Sequence, residues 1–443
     1  MRSGGGRILV FTALYVFSAT ICCLLAAHQQ AQFVDLHVYR LGGEAVLHGR
    51  GLYKLRYLRL PFTYPPFAAL AFTGLAVLPW GAVTALTTAG NAIALVVMLY
   101  LALRLPPAAK RFDDRTRWLL ALGAGTAAIW LEPVRTALAY GQIDLLIALC
   151  VLYDLSLPDH ARRKGIAIGL AAGLKLTPAI FALYLLCTRR YRAAATAAVT
   201  FAATIAAGWI VTPAGSAVYW DGTFVNPGHV GQIQDAENQS LLGALARNLH
   251  TPHVTWLWLP LAGLVALAGL GLATRAARSG DQALGFSLCA ITGLLISPIS
   301  WTHHWVIAVP ALLLAGVAVY PGRAGRALAA TIVACLALAA ILVVGWARIA
   351  RDIQDPDWLH LSPAGIAASE IYVIAGLAAL AVAAVRLARR PLKAGDLPAL
   401  DQYRASGGSA VAPDRVGSGA QPRVDSRIDR GSPGRDTDPA LPD

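Results

Sequence analysis

Phe33-Val-Asp-Leu-His-Val-Tyr-Arg40, running on through Gly42-Gly-Glu-Ala-Val-Leu-His-Gly49 to Tyr53 and closing with Phe62-Thr-Tyr-Pro-Pro-Phe67, is the first polar segment of the chain, and it follows an apolar run at residues 8–27. An apolar run of about twenty residues is what a helix needs to cross roughly 30 Å of hydrocarbon at 1.5 Å per residue. The polar segment behind it then lies at the membrane surface, where costly carboxylates, imidazoles and guanidiniums are retained for chemistry. Similar apolar runs recur along most of the chain. With 57% hydrophobic and 14% charged residues among 443, and a mean hydropathy of +0.57, the composition excludes a soluble globular protein. Ten-residue alternating segments of the barrel kind are not seen. The sequence therefore reads as an all-α polytopic membrane protein.

The net charge of +13 sits largely in short loops between apolar runs, where Lys and Arg report topology, so no nucleic-acid partner is expected. Cys22, Cys23, Cys150, Cys187, Cys289 and Cys335 lie within apolar runs without metal-ligand spacing, and neither a disulfide framework nor a zinc site follows. Residues 8–27 are too long for the core of a cleaved signal peptide and read as a retained first span with its amino end inside. Residues 65–79 are too short to span and read as an outer-leaflet helix, since a further span there would put the basic loop Lys110-Arg111-Phe-Asp-Asp-Arg115-Thr-Arg117 outside.

Spans are then expected at 82–103, 118–131, 145–157, 193–211, 256–273, 282–298, 304–320, 327–346 and 366–385, with a dip at 132–144. Residues 165–188 must enter and leave by one side, as a short helical hairpin turning at Lys175 and Pro178; such breaks are tolerated where they line a protein cavity. The expected total is about 10–12 membrane helices. External loops are expected at about 28–66, the proposed catalytic loop, and at 212–255 and 347–365. Residues 1–390 form one transmembrane domain, and 391–443, rich in Gly, Ser, Pro, Asp and Arg, read as a disordered cytoplasmic tail.

This topology collects the polar clusters on one face. Asp35 is the candidate general base, since a carboxylate can take a proton from an attacking hydroxyl, more so where partial burial raises its basicity; the bland alternative is a helix-capping Asp. Arg40 and Lys175 are candidate phosphate ligands, although Lys175 could instead snorkel to an interface. His303 and His304 point roughly 100° apart if helical, so a metal held by that pair is not expected. One of them could bond a donor phosphate or an acceptor hydroxyl, or both could belong to an interfacial His–Trp belt. His37, Tyr64, Gln142, Asp144, Asn238 and Gln239 complete the set as weaker substrate-binding candidates.

Asp35 with Tyr39, Gly42-Gly43-Glu44-Ala45-Val46-Leu47-His48-Gly49, Leu52-Tyr53 and Phe62-Thr63-Tyr64-Pro65-Pro66-Phe67 together resemble the amino-terminal signature of family-87 glycosyltransferases, polytopic C-superfamily mannosyltransferases of actinobacteria. Tyr140-Gly141-Gln142-Ile143-Asp144, Gly173-Leu174-Lys175-Leu176-Thr177-Pro178, Asn238-Gln239-Ser240 and Ser297-Pro298-Ile299-Ser300-Trp301-Thr302-His303-His304-Trp305 extend the resemblance over about residues 8–385. It implies the C-superfamily fold, a site on the outer face of the plasma membrane and polyprenyl-phosphate-mannose as donor, without nucleotide sugar, cofactor or obligatory metal. It further implies an α-(1→2) linkage to a mannose of a phosphatidylinositol mannoside, lipomannan or lipoarabinomannan acceptor. By the same resemblance the catalytic Asp carries over to Asp35 and a late-loop His to His303 or His304. The mechanism implied is a single inverting displacement. A lipid-phosphate-dependent arabinosyl- or glucosyltransferase and a transporter of a polar or lipid-linked solute are the competing readings.

Overall fold

The computed structural model describes residues 3–26, 33–319 and 358–389. Among the described residues the regular structure is helical apart from a two-stranded hairpin, as expected. The first membrane helix, α1 (Ser3–Ala26), leads to α2 (Val34–Leu47), then to the hairpin of β1 (Arg56–Tyr57) and β2 (Leu60–Pro61), and to the short pair α3 (Pro66–Ala71) and α4 (Thr73–Val77). There follow α5 (Trp80–Ala102), α6 (Asp114–Ala128), α7 (Glu132–Tyr140), α8 (Asp144–Ser156), α9 (Ile166–Leu174), α10 (Ala179–Cys187) and α11 (Tyr191–Val211). After α12 (Pro213–Trp220), α13 (Pro227–Val230) and α14 (Leu241–Asn248) come α15 (Thr255–Arg278), α16 (Gln282–Ile296), a 3-10 turn at Thr302–Ala308, α17 (Val309–Val319), α18 (Pro363–Ser369) and α19 (Ile371–Ala388).

Among the described residues, five helices are long and apolar enough to cross a membrane: the α1 segment Gly5–Leu25, α5, α11, α15 and α19. The pair α7 and α8 makes a sixth candidate if its 116° bend is counted within one span. The segments expected as spans at 118–131, 145–157 and 282–298 are instead short helices: α6, α8 and α16 are 15, 13 and 15 residues long. That is about 20–23 Å at 1.5 Å per residue, less than the hydrocarbon thickness. For α8 and α16 the reason is packing: most of their residues are buried in protein, where a helix may stop inside the membrane because its ends find protein partners. The expected span at 327–346, most of the loop at 347–365 and the tail at 391–443 lie outside the described residues.

A second difference concerns the loop at 28–66, which holds a fourteen-residue helix, α2. Its glycines let it pack closely: a Cβ on Gly42 would stand 2.4 Å from the Phe62 ring, and one on Gly43 would stand 2.3 Å from the main-chain oxygen of Phe72. Around them Leu36, Tyr39, Phe62, Ala68, Phe72 and Val83 form a small core separate from the main one, which Leu95, Leu99, Leu145, Leu152, Phe181, Phe286 and Leu295 help to build.

The basic loops gather at one end of the bundle. Asp159 binds Lys164 at 2.7 Å and Arg190 at 3.0 Å. Arg278 donates to the main-chain oxygen of Cys187, Arg111 to that of Val317 and Arg275 to that of Leu387. Helices α5, α8, α10 and α16 each have one terminus at this basic end. Their other termini meet α2, the α7–α8 break, the α9–α10 break and the turn at 302–308. The charge pattern of the loops and the packing therefore divide the bundle in the same way.

Candidate functional site

Asp35 stands in the first turn of α2, where Phe33 adopts a left-handed φ of 57° and donates its N–H to Ala139 O at 2.6 Å, pinning the start of α2 to α7. Tyr39, one turn on, shares the Asp35 face. The α7–α8 break meets this face. Gly141 takes φ +71°, and a Cβ there would lie 2.7 Å from Leu36 Cβ, so only glycine allows both the turn and the contact. The break presents Gln142, whose Nε2 donates to Asp35 Oδ2 at 2.6 Å. Its Oε1 accepts from the Tyr39 hydroxyl at 2.5 Å and from the Tyr64 hydroxyl at 3.5 Å, and the two hydroxyls are 2.9 Å apart. Asn91 of α5 holds the Gln142 main-chain oxygen at 2.8 Å. Asp35 caps nothing here; its side chain is given to Gln142.

Two residues beyond Gln142, Asp144 opens α8, and its Oδ1 accepts from Lys175 Nζ at 2.7 Å. Lys175 interrupts the apolar hairpin of α9 and α10 in an extended conformation, with its ammonium also 5.7 Å from the Tyr64 ring centroid. Asp144 Oδ2 and Ser300 Oγ are buried without a hydrogen-bond partner among the described residues. A pocket beside them is lined by Thr177, Ile180, Phe181, Leu294, Ser300 and His304. Ligand atoms of Asp144, His303 and His304 lie within 4.8 Å of one another. A carboxylate and two imidazoles are a donor set a divalent cation can use. Lys175 already sets a positive charge on that carboxylate, however, so the cluster reads as one in which the ammonium serves as cation. Burial pushes the Asp35 carboxyl from its ordinary 3.8 up to about 6, against the Gln142 hydrogen bond and the charge of Lys175, which lower it, and with Asp144, which raises it.

Asp35, Tyr64, Gln142, Asp144, Lys175 and the two histidines are thus drawn into one neighbourhood. Arg40 and His37 are not. On a helix of 100° per residue they point about 140° and 160° away from Asp35. Arg40 bonds Glu44 at 3.2 Å, and His37 is stacked between Tyr57 at 4.3 Å and Trp80 at 3.9 Å, so the structure places both away from the face that Asp35 shares with Gln142. Burial and the nearby Arg40 lower the His37 pKa. Asn238 and Gln239 are fully buried and bond main chain. Asn238 Nδ2 donates to Ile233 O, and its Oδ1 accepts from Ser300 N–H; Gln239 Nε2 donates to Ala236 O and Ser369 O. These bonds secure the loop that carries Ser300. Tyr39 was absent from the sequence-derived set, and the signal was its i+4 spacing from Asp35, which becomes meaningful once this segment is a helix.

The sequence profile of glycosyltransferase family 87 matches residues 62–298, just over half of the chain. A polyprenol-phosphate-mannose-dependent alpha-(1-2)-phosphatidylinositol mannoside mannosyltransferase of Mycobacterium tuberculosis is 33% identical over 368 residues, covering 78% of this chain and 84% of that protein. A polyprenol-phosphate-mannose-dependent alpha-(1-2)-phosphatidylinositol pentamannoside mannosyltransferase of Mycolicibacterium smegmatis is 39% identical over 292 residues, covering 64% and 69%. Among solved structures, that of ArnT from Cupriavidus metallidurans bound to undecaprenyl phosphate aligns with a TM-score of 0.37 at 16% identity over 84% of this chain and 77% of that one, a likeness too distant to carry weight. By profile and by identity the chain belongs to glycosyltransferase family 87, and it is a glycosyltransferase.

Proposed function

We propose that this glycosyltransferase moves mannose from polyprenyl-phosphate-mannose to a mannose of a phosphatidylinositol mannoside or of a related lipomannan or lipoarabinomannan, making an α-(1→2) linkage with inversion. The names of the mycobacterial relatives supply the donor and acceptor classes. One observation carries the chemistry: a half-buried carboxylate pushed up to about 6 and an ammonium occur in one cluster, joined through Gln142-Ile143-Asp144.

The acceptor 2-hydroxyl gives its proton to Asp35 while its oxygen attacks C1 of the β-linked mannosyl group. The bond from C1 to the phosphate oxygen breaks, and its electron pair leaves with polyprenyl phosphate. Lys175, helped by His303 or His304, meets the charge that develops there, in a site screened from water where such a contact counts for more. The mixed lining of the neighbouring pocket, aliphatic at Ile180 and Leu294 and polar at Ser300 and His304, suits an isoprenoid beside its phosphate. The basic end of the bundle would face the cytoplasm with both termini, and the Asp35 end would face outward in the plasma membrane, by the preference of Lys and Arg for the inner side.

The test is mannosyl transfer in membranes from radiolabelled polyprenyl-phosphate-mannose, comparing the wild type with Asp35→Asn at equal expression. Loss of about 10²–10⁴-fold, the usual range for removing a general base, is expected in the variant. Equal transfer by both proteins would remove Asp35 from the chemistry. Label passing only from arabinosyl or glucosyl donors would reassign the sugar.

A further inference from the structure

Asp35 has two oxygens, and the protein uses one. Among the described residues its side chain takes a single hydrogen bond, from Gln142 Nε2 to Oδ2 at 2.6 Å, which leaves Oδ1 free to receive a proton. An ionised carboxylate has no proton to give, so Gln142 must turn its NH₂ toward Asp35 and its carbonyl away. That carbonyl then accepts from the Tyr39 hydroxyl at 2.5 Å, with the Tyr64 hydroxyl 3.5 Å from the carbonyl and 2.9 Å from that of Tyr39, so the pose set by the carboxylate is backed by a chain of hydroxyls. The main chain of Gln142 is fixed as well: Asn91 Nδ2 bonds its oxygen at 2.8 Å, and its N–H donates to Ala137 O at 2.8 Å. A side chain with several free torsions is thereby held in one pose at a helix break.

We propose that Gln142 is a positioning residue for Asp35: its amide, held from behind by the Tyr39 hydroxyl and, through it, Tyr64, anchors Oδ2 and presents Oδ1 to the acceptor hydroxyl. The inference rests on the reading of Asp35 as the base. It replaces the substrate-contact role expected of Gln142 and gives Tyr39 and Tyr64 a shared task. The charged and titratable groups around Asp35 are Lys175, Asp144, Tyr39 and Tyr64. Of the hydrogen bonds among them, the one from Gln142 reaches Asp35 directly and favours its ionised form. Removing that donor raises the pH at which the base becomes available.

The experiment uses the full chain in membranes with polyprenyl-phosphate-mannose and a phosphatidylinositol mannoside acceptor, measuring kcat, both KM values and the pH dependence of kcat/KM. Gln142→Leu should lower kcat tenfold or more, leave both KM values within about twofold, and move the acidic limb of the profile upward from near pH 6. Tyr39→Phe removes one oxygen and should move the same limb in the same direction by less, because the Tyr64 hydroxyl can still reach Gln142. If Gln142→Leu does not fold, Tyr39→Phe decides alone. A raised acceptor KM with an unmoved limb would make Gln142 a substrate contact and overturn the proposal. Uniform loss at every pH together with a lowered melting temperature would overturn it in favour of a purely structural role. Asp35→Asn separates the two levels: if that variant still transfers mannose, the reading of Asp35 itself fails. If it is inactive while Gln142→Leu keeps the wild-type profile, only the positioning role fails.

Discussion

Two buried polar clusters in this molecule invite the same first reading and are built in opposite ways. Around Arg247, which is fully buried, the partners are chiefly main chain: Nη1 donates to Asp235 O and Asn238 O, Nη2 donates to Ser369 O, and Glu370 stands 3.8 Å from Nε. Asn238 and Gln239 spend their amides on the same kind of partner. Around Asp35 the partners are side chains, from Gln142 to Tyr39 and Tyr64 on one side and from Asp144 to Lys175 on the other. There, among the described residues, one oxygen of Asp35 takes no hydrogen bond, and Asp144 Oδ2 and Ser300 Oγ lack partners. A cluster that spends its donors chiefly on carbonyl groups, with Arg247 Nε alone of the guanidinium nitrogens left without a hydrogen bond among the described residues, fixes a loop. One that leaves charge and lone pairs unspent, at a price in burial, is available to a substrate.

The largest expected difference separates activity from stability at Asp35. Asp35→Asn should lose about 10²–10⁴-fold in transfer while melting no lower than the wild type in detergent. The folded protein holds the Asp35 proton up to about pH 6, whereas an unfolded Asp releases it near 3.8. Folding therefore binds a proton in that interval, and wild-type stability falls as pH rises through it. The advantage of the Asn variant should be full above pH 6 and vanish below about 3.8, as read from melting curves across pH. A variant that melts lower at every pH would make Asp35 part of the scaffold and erase the contrast with Arg247.

Lys175→Met comes next, and here the change should appear in kcat/KM for the donor lipid. A single electrostatic contact to a departing anion is commonly worth about 10²–10³-fold. Arg247→Met should do the reverse, costing roughly 1–3 kcal/mol in stability for each buried carbonyl left without a donor, those of Asp235, Asn238 and Ser369, with the surviving folded fraction transferring normally. Thermal unfolding and transfer per folded molecule read both variants. Normal stability in Arg247→Met combined with lost transfer would place that cluster with the site.

These contrasts also mark what the residues alone could convey. The membrane bundle was legible because apolar runs and basic loops obey a one-dimensional rule: length against bilayer thickness and charge against side. The hairpin that turns at Lys175 followed from the same parity. The segment 28–66 was less legible. Its Gly42-Gly43 pair lowers intrinsic helix preference, and the contacts that stabilise α2, with Phe62 and Phe72, come from residues about 20 and 29 positions away in sequence. Taken as a loop, the segment offered Asp35, His37 and Arg40 as neighbours. Taken as a helix, it keeps Asp35 with Tyr39 and turns the other two aside. Asn238 and Gln239 were illegible for a different reason. An amide bonded to main chain and an amide waiting for a sugar are spelled alike, and only the partner tells them apart.

Glu132 gives the smallest effect and the sharpest test of that distinction, because it belongs by charge to one class and by satisfaction to the other. It is buried at the start of α7, and three hydroxyls donate to it at 2.8 Å each: Thr136 and Thr302 to Oε1, and Tyr372 to Oε2. Thr302 precedes His303, so Glu132 ties the turn carrying both histidines to the helix that ends at the Gln142 break. Being fully provided with donors, it should act as scaffold. Glu132→Gln exchanges charge-assisted hydrogen bonds for neutral ones, the hydroxyl that faces the new NH₂ turning to accept from it, a loss of about 1 kcal/mol, and should lower the melting temperature while leaving kcat per folded molecule within about threefold. If kcat falls instead, with the melting temperature unchanged, saturation by side-chain hydroxyls does not mark a cluster as inert. The rule would then narrow to partners on the main chain, because a hydroxyl can exchange its acceptor for a substrate oxygen at little cost, whereas a carbonyl fixed in a loop cannot.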